Sequence, residues 1–452
     1  MEPFKFYLIA DPHFFKNSLG ASGKEYDEFM RYEQKCFAET ESINTAVFNW
    51  LGEADDADTL LIAGDLTFNG EKESHLAFIE LLKDLKAKGK KIYVITADHD
   101  CKDDPFAFNE NGRYMPEPTK YEELYDLYYE FGFSDAIAVD REHMSYVAQL
   151  ADGVRLLALC NDGDVNHSHR FDENHIAWIK EQTKKAREDG QMMFAMNHYP
   201  LLPGQPILSV VSGTYQKDAE AVTRMLADEG VHLVFTGHMH NQSINVRTLE
   251  NGNKIYDVCT GSIIADPSVI RLVTIKSDDL VEIRSIPTPD FEWDTGGKTC
   301  RLYLSDLFDN MLLNMFADLR DNPYNPLRKL GMGDRENLFP IVSKVFGKLN
   351  EITIGSLCRK MFIPCKDPEL KKMSVKLYAA ELVRGMFEGN QTFKKGTPKG
   401  DVFIAFLGRL KPILGAIKAK TFDGKDADLY DLLVNSAGNY DIDDYNATLK
   451  LK

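Results

Sequence analysis

The feature that most restricts this chain is a recurrence of short apolar runs that close on Asp or His. "FKFYLIA" (4–10) leads into "DPH", with Asp11 and His13. "TLLIAG" (59–64) leads to Asp65, and "KIYVIT" (91–96) to Asp98 and His99 within "ITADHDCKDDPF". "MMFAMN" (192–197) is followed by His198, and "HLVFTG" (232–237) by "HMH", with His238 and His240. Such runs, together with "VRLLALC" (154–160), read as buried strands. Between them, "ESHLAFIELLKDLKAK" and "FDENHIAWIKEQTKKAREDG" space their apolar residues as helices do. The second has Asp172 at the N-cap position and stops at Gly190. In open α/β sheets, ligands gather at the carboxyl ends of strands. A lone histidine is usually structural, but five strands delivering Asp or His to one edge are hard to explain by packing.

From residue 254 the pattern changes to strands without long helices: "KIYDVCTGS", "VIRLVTI" and "LVEIRSI". A second sheet is expected, so the fold class is α/β, a two-sheet sandwich flanked by helices. The Pro- and Gly-rich "PTPDFEWDTGGKTC" (287–300) reads as a linker. Beyond it Leu304, Leu307, Phe308, Met311 and Met315 keep helical spacing, and "LKKMSVKLYAAELVRGMFEG" repeats the habit. Two domains are expected: 1–290 with the site strands, and 300–452, mainly α-helical.

A hydrophobic content of 44% and a charged content of 27% are those of a soluble globular chain. The net charge of −17 argues against a nucleic-acid polymer or an anionic membrane as partner, since both would be repelled. A small anionic substrate responds to local charge instead. No run approaches the roughly 20 apolar residues that span a bilayer. "MEPFKFYLIADPH" passes straight into an expected strand, so no signal peptide is visible in the sequence as it stands, with a trimmed secretion leader as the alternative. The seven widely spaced cysteines form no CxxC pair and read as reduced, so the expected location is cytoplasmic.

Asp11, His13, Asp65, Asp98, His198, His238 and His240 combine imidazole with carboxylate. That donor set suits Mn, Fe or Zn rather than an all-oxygen Ca or Mg cage. It is too large for one ion and fits two divalent or trivalent transition-metal ions sharing a carboxylate. Two such ions roughly 3.5–4 Å apart can clamp a phosphoryl group and generate hydroxide at neutral pH.

In this order, Asp-x-His, Gly-Asp, His-Asp, His and Gly-His-x-His resemble the pattern of calcineurin-like metallophosphoesterases, over about residues 5 to 275. The resemblance implies the same two-sheet sandwich. It also implies that Asp11, His13 and His240 hold one metal, that Asp98, His198 and His238 hold the other, and that Asp65 bridges them. His99 would stand beside the leaving group as acid or phosphate contact, oriented by Asp100. "GDLTFNGEKESH" lacks the Arg that serine/threonine phosphatases of this superfamily carry after the bridging Asp. With "NHYPLLPG" and "GHMHNQSI", it is more similar to bacterial cyclic-nucleotide-type phosphodiesterases, some of which carry a C-terminal helical domain. The expected function is dinuclear metal-dependent hydrolysis of a small phosphodiester, cyclic nucleotides included. The alternatives are a phosphomonoesterase and a non-catalytic metal-binding scaffold. Asp98 departs from the family's Asn and adds a negative charge. Asn197 stands where close relatives often have a second His.

Other candidates have plainer readings. Cys101 is expected to be a buried neutral thiol, and Asp103 and Asp104 ordinary loop carboxylates. His167 and His169 in "NHSHR" are expected to face solvent, and His75, His143, His175 and His232 to be structural. "YEELYDLYYEFG" (121–132) reads as a packing helix, and "KKGTPKG" (394–400) is too short for a nucleic-acid patch. Asn69 and Arg113 follow site strands and are candidates for substrate contact.

Overall fold

The computed structural model describes residues 2–160, 170–210, 215–329, 340, 343–344, 347–348, 352–390, 392–421, 424–437 and 442–452. Six expected strands form: Phe4–Ile9, Thr59–Ala63, Lys91–Ile95, Val154–Ala158, Met192–Met196 and Leu233–Thr236. They stop a residue or two before the apolar runs do. At several of these ends the backbone leaves the extended region, with φ of 50° at Asp11, 87° at Gly64, 52° at Asp65 and 65° at His238.

The strands divide between two sheets. In the six-stranded sheet, Phe4–Ile9 runs parallel to Thr59–Ala63, which is parallel to Lys91–Ile95. On its other side the sheet continues antiparallel through Val269–Ile275, Leu280–Pro287 and Asn446–Lys450. The seven-stranded sheet has Val154–Ala158, Met192–Met196, Leu233–Thr236 and Lys254–Cys259 in parallel. Ser243–Thr248 closes one edge, and Ser145–Ala151 with Ala136–Asp140 closes the other. The strands after residue 254 are therefore shared between the sheets.

Phe6 of the first sheet stacks on Phe194 of the second at 5.3 Å and meets Phe235 edge-on at 5.5 Å, which places the main core between the sheets. Helices Thr40–Glu53 and Lys72–Ala87 pack outside the first sheet, burying Val47, Phe48, Phe78 and Leu82. Glu173–Glu188 and Ala219–Asp228 pack outside the second, burying Ile179, Ala186, Val222 and Leu226. Central strands covered on both faces read as unbroken apolar runs rather than alternating ones. Helix Glu173–Glu188 is capped as its sequence suggests: the Asp172 carboxylate accepts from His175 N at 2.8 Å. The helix expected over 121–132 ends at Leu127, where Tyr128 and Phe131 turn into the core.

After the linker, Thr299 caps helix Cys300–Asp321, whose Leu304, Phe308 and Met311 are buried. It packs on Val375–Glu388, with Phe308 edge-on to Phe387 at 5.4 Å. The stretch at 370–389 is not one helix, because Ser374 ends it and caps a new one at Val375. Helices Tyr324–Lys329, Ile354–Lys360, Pro398–Leu414 and Leu429–Ser436 and a small hairpin of Lys418–Lys420 with Asp426–Asp428 also belong to this region. The chain crosses back once, since Asn446–Lys450 is the outer strand of the first sheet. Among the described residues no helix is long and apolar enough to cross a membrane.

Candidate metal centre

The loops after the site strands are knitted together by backbone hydrogen bonds. Asp11 N donates to Gly64 O at 3.2 Å, His13 N to Asp65 O at 2.9 Å, and Gly237 N to His198 O at 3.0 Å. Two glycines leave room for this approach. A Cβ on Gly64 would stand 2.6 Å from His198 Nδ1, and one on Gly237 would stand 2.5 Å from Asp11 Oδ2. Asp11, His13, Asp65, His238 and His240 all have positive φ, a costly backbone that persists where surrounding structure holds it and that clusters at functional sites.

The seven side chains converge in two groups. Asp65, Asp98, His198 and His238 offer ligand atoms within 4.8 Å of one another, and so do Asp11, His13 and His240. One oxygen joins the groups: Asp65 Oδ2 lies 3.2 Å from His198 Nε2 and 3.5 Å from His13 Nε2. His13 Nε2 and His240 Nε2 face each other at 3.0 Å, and Asp11 Oδ1 is 3.4 Å from His240 Nε2.

The atoms fit a metal. His198 Nδ1 lies 2.7 Å from the Ala63 carbonyl, which accepts its proton. In the neutral imidazole the lone pair is thereby placed on Nε2, which is buried without a hydrogen-bond partner. Asp98 Oδ1 is likewise buried and unpartnered. Opposed imidazole nitrogens and orphaned donor atoms are what a shared cation would satisfy. Burial alone would raise the Asp65 carboxyl, but His198, His99 and His13 reverse that and hold it well below the usual carboxylate range. Burial and Asp65 also oppose ionisation of Asp98, yet His99, Lys102 and His238 outweigh them and bring it down to about 2.

His99 stands beside both groups, its ring 4.8 Å from and perpendicular to that of His13. Its Nδ1 is 2.6 Å from Phe68 O and 3.0 Å from Asn69 Oδ1. The expectation that Asp100 orients His99 is not met. The Asp100 side chain turns inward and accepts from Ala97 N at 2.8 Å and Thr67 N at 2.9 Å, so it fixes the loop rather than the imidazole. Burial, reinforced by Asp65, pushes Asp100 up to about 8.

The other candidates separate clearly. Asn69 is buried beside His99, whereas Arg113 lies over the Phe106 ring at 4.2 Å. Cys101 is buried and belongs to neither group. His75 Nε2 meets Asp100 O at 2.8 Å and Nδ1 meets Tyr128 OH at 2.7 Å, a structural role. His167 and His169 lie outside the described residues.

Two lysines were not singled out from the sequence. Lys102 Nζ is 2.5 Å from Asp98 Oδ2. Lys35 is 8% exposed, and its Nζ lies over the Phe68 ring at 4.4 Å from the centroid. The i, i+4 spacing of Asp98 and Lys102 was a usable signal. Lys35 follows a helix in no recognisable pattern, and only folding brings it to the site.

Among solved structures the chain is similar to a dimetal phosphatase from Danio rerio, with 14% identity, 64% of this chain and 97% of that chain covered, and a TM-score of 0.44. For purple acid phosphatase PPD1 from yellow lupin, Lupinus luteus, the values are 13%, 64%, 52% and 0.41. For a 5'-nucleotidase precursor from Thermus thermophilus they are 11%, 60%, 51% and 0.33, so this chain spans about half of each of those two. No curated protein matches the chain. The family model for calcineurin-like phosphoesterases matches residues 4–242, more than half of the chain and the span that supplies both side-chain groups, so the chain belongs to the calcineurin-like phosphoesterase family.

Proposed function

We propose that this protein is a dinuclear metal-dependent hydrolase of a small phosphodiester, with cyclic nucleotides in the substrate class. The observation that carries the reading is the single Asp65 oxygen standing between two convergent groups, with the His99 ring alongside. Asp11, His13 and His240 would hold one ion, Asp98, His198 and His238 the other, and Asp65 both. Two Mn, Fe or Zn ions there would supply an activated water and neutralise charge on the phosphoryl group. The chain's own residues do the rest. Ala63 O fixes the His198 tautomer, Phe68 O and Asn69 hold the His99 ring, and His99 serves the leaving-group oxygen or the phosphoryl group. The absence of Arg in "GDLTFNGEKESH" favours a diester, which carries one negative charge, over a monoester dianion. A phosphomonoesterase is the second reading, because Lys35 places a cation near the site.

The test is metal reconstitution followed by kcat/KM for bis(p-nitrophenyl) phosphate and p-nitrophenyl phosphate in one buffer. About two equivalents of metal and a diester preference are expected. A single equivalent would overturn the dinuclear reading, and a monoester preference would reverse the substrate assignment.

A further inference from the structure

Lys35 is held by its neighbours in sequence. Cys36 N donates to Ile264 O at 3.3 Å, and Phe37 packs on Phe15 and Phe68 with ring centroids 4.2 and 4.5 Å apart. The lysine side chain then lies over Phe68, the residue whose carbonyl meets His99 Nδ1 at 2.6 Å. Among the described residues no carboxylate stands within ion-pair distance of its ammonium, unlike Lys16, Lys72 and Lys102. The cation–π contact offsets only part of the cost of burying a charge. Burial acts first on Lys35; Glu33 is the foremost carboxylate acting on it, followed by Asp65, Asp98 and Asp11, and Lys35 is the foremost charged neighbour of both His13 and His99.

A structural role would make Lys35 the counter-charge to those carboxylates. On the reading above, however, Asp65, Asp98 and Asp11 are committed to metal, which leaves Glu33, beyond ion-pair distance, as the one of these carboxylates still able to offset the ammonium. An anion entering the site would be the group that satisfies it. We propose that Lys35 contacts a non-bridging oxygen of the substrate's phosphoryl group. This inference rests on the assignment of the protein as a phosphoester hydrolase. The contact strengthens with charge on the phosphoryl group, so its loss falls more heavily on a monoester than on a diester.

The experiment compares the wild type with Lys35→Met and Lys35→Arg, each loaded with Mn. KM and kcat are measured for both nitrophenyl esters, and inorganic phosphate binding is measured by calorimetry. A charge-assisted hydrogen bond predicts roughly tenfold or greater weakening of phosphate binding in Lys35→Met, with KM raised most for the monoester. Metal content and Tm should hold, and Lys35→Arg should recover most of the binding. Unchanged phosphate affinity in Lys35→Met would overturn the proposal. Loss of metal or of folding in Lys35→Met would also overturn it, and would make Lys35 a structural counter-charge, as would an Arg variant that keeps metal but not phosphate affinity. A wild type that binds phosphate through Lys35 but cleaves neither ester would remove the hydrolase reading and leave Lys35 as an anion contact.

Discussion

Asp98 shows what one side chain means once its neighbours are known. Taken alone, it replaces a neutral family ligand with a charged one, and removing that charge would be expected to raise turnover roughly tenfold. In the folded protein Lys102 Nζ sits 2.5 Å from Asp98 Oδ2, while Oδ1 is left among the ligand atoms. The pair together carries no net charge, like the amide it replaces. Asp98→Asn alone is therefore expected to change kcat/KM by less than about threefold at saturating metal, because the Lys102 ammonium it frees is 35% exposed and can turn to solvent, leaving a neutral amide ligand in place of a neutral pair. Lys102→Met should lower kcat/KM, and adding Asp98→Asn to it should restore activity. Kinetics on the four proteins of this cycle measure the coupling. Additive effects would show that the two residues act independently.

At the scale of elements, the sandwich meets the helical part through buried charge. Asp266 lies between strands Lys254–Cys259 and Val269–Ile275, is 1% exposed, and has neither carboxylate oxygen hydrogen-bonded. Glu388 and Arg384 of helix Val375–Glu388 act on it, as do Arg301 and Asp309 of helix Cys300–Asp321. Burial first, then Glu388, pushes it up to about 7. Because the folded state holds this proton more tightly than the unfolded chain, with its carboxyl near about 4, the associated stability is complete below that value. It is lost as pH rises towards 7. Asp266→Asn should thus raise Tm clearly at pH 8 and little at pH 5, as read by thermal denaturation at the two values. An equal shift at both would mean that Asp266 does not titrate across this range.

Across the whole molecule, the last ten residues join parts that are distant in sequence. Asn446–Lys450 completes the first sheet against Leu280–Pro287, burying Leu449. The Asp444 carboxylate accepts from Ile244 N at 2.8 Å and Asn390 N at 2.7 Å, and its carbonyl accepts from the fully buried Arg271 at 3.0 Å. A chain ending at residue 442 loses Leu449 and Leu451, at about 1.5–3 kcal/mol each, and leaves Arg271 short of a partner. A drop in Tm and association through the bared sheet edge are expected, checked by calorimetry and light scattering. An unchanged Tm would show that the strand is dispensable. The proposed division into 1–290 and 300–452 puts this strand beyond the boundary, so a chain ending at 290 should also require residues 443–452 to remain soluble.

The sequence by itself determined the strands that carry the site and the seven side chains at their ends, because an apolar run and the residue following it are local. It also set the α/β class and the helix cap at Asp172, which depends on residues within one turn. Edge strands such as Ala136–Asp140 and Asn446–Lys450 were not legible, since they are half exposed and take their conformation from the strand beside them. Tertiary structure alone decided that Asp65 Oδ2 stands between His13 and His198, that Ala63 O fixes the His198 tautomer, and that Asp100 turns from His99 to Thr67 N. It alone brought Lys35 over Phe68. Each of these outcomes depends on distances between segments tens to hundreds of residues apart, which are set when the two sheets pack and not by any pattern along the chain.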